Sequence, residues 1–219
     1  MQIMIKSQRG DAVKIPYATI ERIATYLRCM KHLQAQGVKI ISSSELAQNT
    51  KTTPEQVRKD LSYFGKFGKT GEGYNVDKLA KKLERILRTK KEWKVCIIGA
   101  GSLGGALTRY PGFKESGYCI VALFDNNPAK IGKKIGSAEI FDIKNFKEIT
   151  EKTKIELAML AVPQSSYEDV KEILENSKIN GVINFIPHTL RLKTRRKIPV
   201  VNVDLAQKLY ILSYLIKNK

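Results

Sequence analysis

The string Gly99-Ala100-Gly101-Ser102-Leu103-Gly104 narrows the possible folds more than any other stretch of the chain. It follows the apolar run Val95-Cys96-Ile97-Ile98 and opens the small-residue stretch Gly105-Ala106-Leu107, so it joins an expected strand to an expected helix. An acid, Asp125, stands 21 residues past Gly104, at the end of a second apolar run, Cys119-Ile120-Val121-Ala122-Leu123-Phe124. Each position has a physical reason. Gly99 permits a tight turn, Gly101 lets a pyrophosphate approach the backbone, and Gly104 lets the helix pack close to the sheet. The free N–H groups of a helix N-terminus then face the anion, which makes all of 99–104, with Ala100, Ser102 and Leu103, the candidate cradle. Asp125 is placed to accept from adenosine ribose hydroxyls and to repel a 2′-phosphate. That combination reads as NAD(H) rather than NADP(H).

The chain has 219 residues, 42% of them hydrophobic, enough for one large core or two modest ones. No uncharged apolar stretch reaches the roughly 20 residues of a membrane span. Met1 to Asp11 carries Lys6, Arg9 and Asp11 and no apolar core segment, so no secretory signal is expected. Cys29, Cys96 and Cys119 lack paired spacing and read as buried thiols of a reducing, cytoplasmic compartment. No metal-ligand spacing stands out. The charge is more telling, at +18 from 39 basic and 21 acidic residues. Residues 1–90 carry net +10 and the remainder net +8. A polyanion such as nucleic acid is the simplest partner, although the even spread also fits a general surface bias toward lysine.

Residues 1–90 read as a helical, winged-helix domain. Ala18 to Gln36 carries Ile20, Ile23, Ala24, Leu27 and Leu33 at helical spacing, with Gly37 at the C-terminus. Ser42 and Glu45 have capping-box spacing and start a short helix to about Gln48. Thr53 is the expected cap of the next, with Pro54 at its first position and Gln56 reaching back. That helix, to about Phe64, buries Val57 and Leu61 and exposes Gln56, Arg58, Lys59 and Ser62. Two short helices with a tight connection make a helix-turn-helix, whose second member is the recognition helix. Gly65 to Tyr74 interleaves four glycines with aromatics and lysines, which suggests a hairpin or wing. Asn75 to about Arg88 forms a further helix striped by Leu79, Leu83, Ile86 and Leu87.

Residues 91–204 read as α/β, a Rossmann-like doubly wound parallel sheet. Ile135–Ile140 is a weak edge strand, Asp142 caps a helix, Leu157–Val162 is a buried strand, and Ser165 with Glu168 caps the helix to about Ser177. Val182–Phe185 and Val200–Val203 complete the sheet. Ligand belongs at the carboxyl ends of its strands, where Val162, Asn184 and Asp204 stand. The last segment, 205–219, is a helix with Leu205, Leu209, Leu212 and Ile216 on one stripe and Ile211 and Leu215 on another. So much apolar surface must be covered, either between the chain's own domains or by a partner subunit.

Together, Gln56-Val57-Arg58-Lys59-Asp60-Leu61-Ser62-Tyr63-Phe64-Gly65, the glycine wing, the 98–104 turn, Tyr110-Pro111-Gly112-Phe113 and Asn202-Val203-Asp204 resemble the Rex family of bacterial redox-sensing repressors. The resemblance covers about residues 15–216. It implies a homodimer that exchanges its C-terminal helix, binds a palindromic DNA operator and leaves it when NADH binds. It further implies that Arg58 and Lys59 contact the major groove or phosphates, and that Lys66 and Lys69 act from the wing. Arg28, Tyr110 and Asp204 match positions that transmit the nicotinamide's redox state. Some members carry phenylalanine straight after this aspartate, and Leu205 stands here instead.

Two other classes compete with a DNA-binding sensor: an NAD-dependent dehydrogenase with an accessory helical domain, and a dinucleotide-binding interaction protein without DNA. A dehydrogenase needs a proton donor or acceptor beside the hydride path. Of the two histidines, His32 falls in the first helix and His188 follows a strand's C-terminal end. No room remains for a substrate domain, so no enzyme is expected and His188 reads as a loop residue.

Overall fold

A computed structural model describes residues 2–6, 12–68, 71–89 and 91–217. The chain divides into two compact units, Met1–Lys90 and Lys91–Lys219. The N-terminal unit is not wholly helical. Gln2–Lys6 (β1) and Ala12–Pro16 (β2) pair antiparallel, an element that carries no clear alternation in the sequence. Arg9 and Asp11 lie outside the described residues.

Helix α1 (Tyr17–Ala35) follows, then strand β3 (Ile40–Ile41), α2 (Ser43–Thr50), α3 (Pro54–Ser62), β4 (Tyr74–Asn75) and α4 (Val76–Leu87). The starts are set by side chains. Ser42 and Glu45 close a reciprocal capping box, and the Thr53 and Asn75 side chains accept from the N–H groups of Gln56 and Lys78. Thr53 works alone, because the Gln56 amide turns away to Asp60. α1 lays Ile23, Tyr26, Leu27 and Met30 against Val76, Leu79, Ala80 and Leu83 of α4, with Leu46, Val57 and Leu61 from the two short helices. Each such aliphatic side chain contributes about 1.5–3 kcal/mol by leaving water. Of the hairpin or wing expected of the glycine-rich stretch, no strand pair within the stretch forms among its described residues. The pairing runs instead from Tyr74–Asn75 back to Ile40–Ile41. Gly65, Gly68, Gly71 and Gly73 all take positive φ, which curls the segment rather than extending it.

In the second unit the order is β5 (Trp93–Ile98), α5 (Ser102–Arg109), α6 (Pro111–Glu115), β6 (Tyr118–Asp125), β7 (Lys134–Ile135), β8 (Ala138–Asp142), α7 (Phe146–Thr153), β9 (Leu157–Leu160), α8 (Tyr167–Glu175), β10 (Gly181–Asn184), β11 (Val200–Asn202) and α9 (Leu205–Lys217). The seven strands lie in the order β11-β10-β9-β5-β6-β8-β7, parallel except for β7. Setting β7 aside, this is the doubly wound order with its reversal between β5 and β9. Both faces are covered. Val95, Ile97, Leu123 and Met159 belong to one core, and Cys96, Ile98, Phe124 and Leu160 to the other, as the pleat's two-residue period requires.

Three local expectations change. The weak strand at 135–140 is a β7–β8 hairpin, whose longer arm lies inside the sheet beside β6. Asp142 caps a short 3₁₀ turn that leads into α7. Ser165 and Glu168 do not cap α8. A 3₁₀ turn over Gln164–Ser166 comes first, and Ser166 then precedes the helix without a side-chain cap bond.

Candidate nucleotide cleft and nucleic-acid interface

The glycine turn lies at the sheet's reversal point. Gly99 has φ +103°, and a Cβ there would sit 2.4 Å from the Ala161 carbonyl oxygen. A Cβ on Gly104 would fall 1.9 Å from the Gly99 carbonyl, so glycine at 104 lets the first turn of α5 press on the loop, while glycine at 99 lets the loop pass the end of β9. Gly101 takes the N-cap position of α5 and is open to solvent together with Ser102 and Leu103, while Ala100 is buried. Gly99, Gly101, Asp125, Lys130, Val162 and Pro163 line one cleft of about 430 Å³ at the carboxyl ends of β5, β6 and β9.

Asp125 is almost fully buried and heavily committed. Its Oδ2 accepts from the Ala100 N–H and the Lys130 ammonium, both at 2.9 Å, and its Oδ1 from the Asn127 N–H at 2.9 Å. Burial pushes its pKa up. The lysine and the two N–H groups outweigh that and hold the carboxyl below its ordinary range. Lys130 went unnoticed in the sequence, where its only signal was a place five residues after the acid. Asn184 does not line this cleft. It is fully buried, and its side chain bonds His188 O, Asn202 Oδ1 and the Ile186 N–H, bracing the strand ends.

On the other unit, Arg58, Lys59, Ser62 and Lys66 are exposed, the first three on α3. Arg58 is poised by Ser43 Oγ at 2.8 Å and Glu55 Oε1 at 2.9 Å. Gln56 is half-buried, its amide donating to Asp60 Oδ1 at 2.8 Å, so it is not free to read a base in this conformation. Lys69 lies outside the described residues. Lys82 donates to the Lys66 carbonyl and covers the Phe67 ring at 3.9 Å, tying the curled segment to α4.

A second residue that sequence reasoning missed is Asp60. It is fully buried and accepts from Thr19 Oγ1, Tyr26 Oη, Gln56 Nε2 and both Nε and Nη2 of Arg22, at 2.6–3.1 Å. Burial raises its pKa, but the bonds from Arg22, Gln56 and Tyr26 prevail and lower it. The same site pushes Tyr26 up to about 12, by burial first and then by its bond to the carboxylate.

Of the three positions matched to redox transmission, Arg28 is exposed on α1 and Tyr110 is exposed between α5 and α6. Tyr110 meets Phe113 edge-on with centroids 5.0 Å apart, and its ring lies over Gly112. Asp204 caps α9, accepting from the Gln207 N–H at 2.9 Å. His188 is exposed and stacks edge-on against Tyr167 at 4.6 Å. Of the cysteines only Cys96 is buried, while Cys29 and Cys119 are partly exposed. Burial pushes all three thiols up, so none has the acidified character of a redox switch. Among the described residues no group of His, Cys, Asp or Glu could hold a metal ion, and no helix is long and apolar enough to cross a membrane.

A helix-turn-helix unit of DNA-binding type joined to a Rossmann-like nucleotide-binding unit defines a class of ligand-responsive transcriptional regulators. Residues 14–62 match the family described as "Putative DNA-binding protein N-terminus", and residues 90–188 match the CoA binding domain. A redox-sensing transcriptional repressor, Rex 1, of Thermotoga maritima is 38% identical over 93% of this chain and 96% of its own. The Rex repressor of Carboxydothermus hydrogenoformans is 40% identical over 94% of this chain and 98% of its own. The crystal structure of RSP with β-NAD⁺ and operator DNA superposes with a TM-score of 0.86 at 34% identity, over 93% of both chains. That of RSP with β-NADH gives 0.83 at 33%, over 93% of this chain and 95% of the other. The chain belongs to the Rex family of redox-sensing transcriptional repressors, whose members are named as regulators rather than enzymes.

Proposed function

We propose that this chain represses transcription in the cytoplasm as a homodimer, binding operator DNA until NADH occupies the cleft of the second unit. The observation that carries this is the Gly99–Gly104 turn and Asp125 meeting in one cleft at the sheet's reversal point, in a chain that also carries the helix-turn-helix. The pyrophosphate lies along Gly99, Ala100, Gly101, Ser102, Leu103 and Gly104 at the start of α5, and Asp125 takes the adenosine ribose. Val162 closes the cleft, and Asn184 supports it from behind. Arg58 and Lys59, with Ser62, face the major groove. Lys66 and Lys69 approach the backbone, and Gln56 reads a base only if it leaves Asp60. A dimer places two recognition helices in successive grooves, so the operator is an inverted repeat with half-sites about 34–36 Å apart or a multiple of that.

A gel-shift titration with and without NADH tests the reading. The wild-type complex should dissociate as NADH rises and weaken steeply with salt, each phosphate contact giving a log–log slope near −0.9. Arg58→Ala should cost about 1–3 kcal/mol and relax sequence preference. An operator complex indifferent to NADH would refute the sensor.

We further propose that Arg28, Tyr110 and Asp204 couple the nicotinamide to the DNA-binding unit, Asp204 alternating between partners. A ligand shifts an equilibrium only through its difference in affinity for two states. Because Asp204 also caps α9, Asp204→Ala should lose about 1 kcal/mol of helix stability as well. Asp204→Ser keeps a capping oxygen without the charge and isolates the relay. Tyr110→Phe and Asp204→Ser should bind NADH and operator separately yet release DNA only at raised NADH. Wild-type release by both variants would dismiss the relay.

A further inference from the structure

The net charge of the second unit sits on one part of it. Residues 91–175 hold 12 basic and 12 acidic residues, whereas residues 176–203 hold six basic residues and no acid. Five of those six fall between Arg191 and Lys197, in the crossover from β10 to β11. A general surface bias toward lysine would charge both stretches alike. The crossover has a definite shape. Leu190 and Leu192 enter the core, while Arg191, Lys193 and Arg195 are exposed. That alternation is what extended backbone gives, so the three cations share one side at intervals of about 6.6 Å. Glu175 Oε1 accepts from the Lys193 N–H at 2.6 Å, and the Arg196 guanidinium donates to the Ser177 carbonyl. Lys197, at φ +46°, closes a turn onto the Thr194 carbonyl. These bonds hold the backbone, and the side chains of Arg191, Lys193 and Arg195 have no acidic partner among the described residues. Ser177 lies between α8 and the start of β10, so the turn stands at the amino ends of the parallel strands, opposite the carboxyl ends that form the nucleotide cleft.

We infer that the Arg191–Lys197 edge binds the phosphate backbone of duplex DNA beyond the operator's half-sites, as a contact separate from the helix-turn-helix. This rests on operator binding by the first unit. Three cations at that spacing span about 13 Å, a length over which one DNA strand presents about four phosphates. The two arginines offer planar forks that match phosphate oxygens, and the lysine adds a point charge between them. Every exposed residue from 191 to 198 is basic, which suits a polyanion. A protein partner would call for an apolar centre inside the patch, and none is exposed there. Because the rest of the unit up to residue 175 is neutral, attraction is directed to this edge. Phosphate contacts carry no sequence information, so the edge adds affinity and leaves the choice of operator to α3.

Fluorescence anisotropy of the full chain on two duplexes tests this: the bare inverted repeat, and the same repeat extended at each end by about 15 base pairs, one and a half turns. Wild type should bind the extended duplex more tightly at low salt. With three contacts made, raising salt from about 50 to about 200 mM should weaken the extended complex about 40-fold more than the bare one. Arg191→Gln, Lys193→Gln and Arg195→Gln together should erase that difference, while the bare operator and NADH are bound as by wild type. Lys144→Gln, Lys147→Gln and Lys152→Gln remove the same charge from exposed positions of the neutral stretch and should keep the difference. A wild type that does not distinguish the duplexes overturns the inference and assigns the edge to an anionic partner other than flanking DNA. A length effect that survives the exchange at 191, 193 and 195 overturns it too, because the added contact then lies elsewhere. Equal loss in the second set of variants would trace the effect to net charge alone. Operator binding stands in each of these cases. Failure of wild type on both duplexes would remove the reading beneath as well.

Discussion

Asp60→Ala should destabilise the N-terminal unit by about 3–5 kcal/mol, the range seen when one partner of a buried ion pair is removed. The size follows from what is left behind. Arg22 is part-exposed and can turn to water, but Tyr26 and Thr19 are fully enclosed and lose the acceptor that satisfies them. Each stranded hydroxyl costs about 1–3 kcal/mol. The same group sets an acid limit. Its folded pKa lies below the unfolded value near 3.9, so its contribution is complete above about pH 4 and disappears as pH falls through the folded value. Tyr26 sets a weaker alkaline limit of opposite sense. Its folded pKa, about 12 against 10, gives stability that is full below pH 10 and gone once pH passes 12. Asp60→Asn, which keeps the shape, should flatten the acid limb of the stability curve. The effect should be confined to one unit. Both variants should lose operator binding in a gel shift while nucleotide quenching in the second unit persists. Equal melting temperatures and equal acid limbs in wild type and Asp60→Asn would show that the carboxylate carries no stability.

Asp60 also marks where sequence reading stopped. A charge three residues after Val57 and beside Leu61 sits on the apolar stripe of α3, and that misplacement was its only signal. Its main partner, Arg22, is 38 residues away and looks like any surface arginine. Local chemistry was legible because its cause is local. The Ser42–Glu45 box and the Thr53 cap each depend on neighbours a few residues apart, and the glycine turn and its acid are tied by a fixed spacing along the chain. Features that depend on distant partners were not. The β1–β2 hairpin has no strong alternation to announce it. Four glycines suggested a hairpin or wing; each takes positive φ, and the strand that follows pairs with the distant β3. Asn184 stands at a strand's carboxyl end like a ligand contact, yet its amide is taken up by the turn that follows and by Asn202 on the neighbouring strand.

Removing residues 205–219 should convert a dimer to a monomer or an aggregate and collapse operator affinity. Eight large apolar side chains on α9 are exposed in the single chain, from Ile211 at 49% to Tyr210 at 73%. At about half to three-quarters of the roughly 1.5–3 kcal/mol that full burial gives each, they represent on the order of 10 kcal/mol, comparable to the stability of a whole domain. They also lie on more than one side. Leu205, Leu209, Leu212 and Ile216 form one stripe, while Ile211 and Leu215 turn to another face. Docking against a flat surface covers one stripe only. A helix apolar on several sides needs surroundings on several sides, and insertion into a second copy that inserts its own in return provides them. Truncation should remove this proposed exchange and leave each half-site of an inverted repeat to be bound singly, without the effective-concentration gain of a linked pair. Light scattering reports the mass and a gel shift the affinity. Replacing Leu209 and Leu212 together by glutamate tests the same surface without shortening the chain. A truncated protein that remains dimeric and holds its operator as wild type does would place the subunit contact elsewhere.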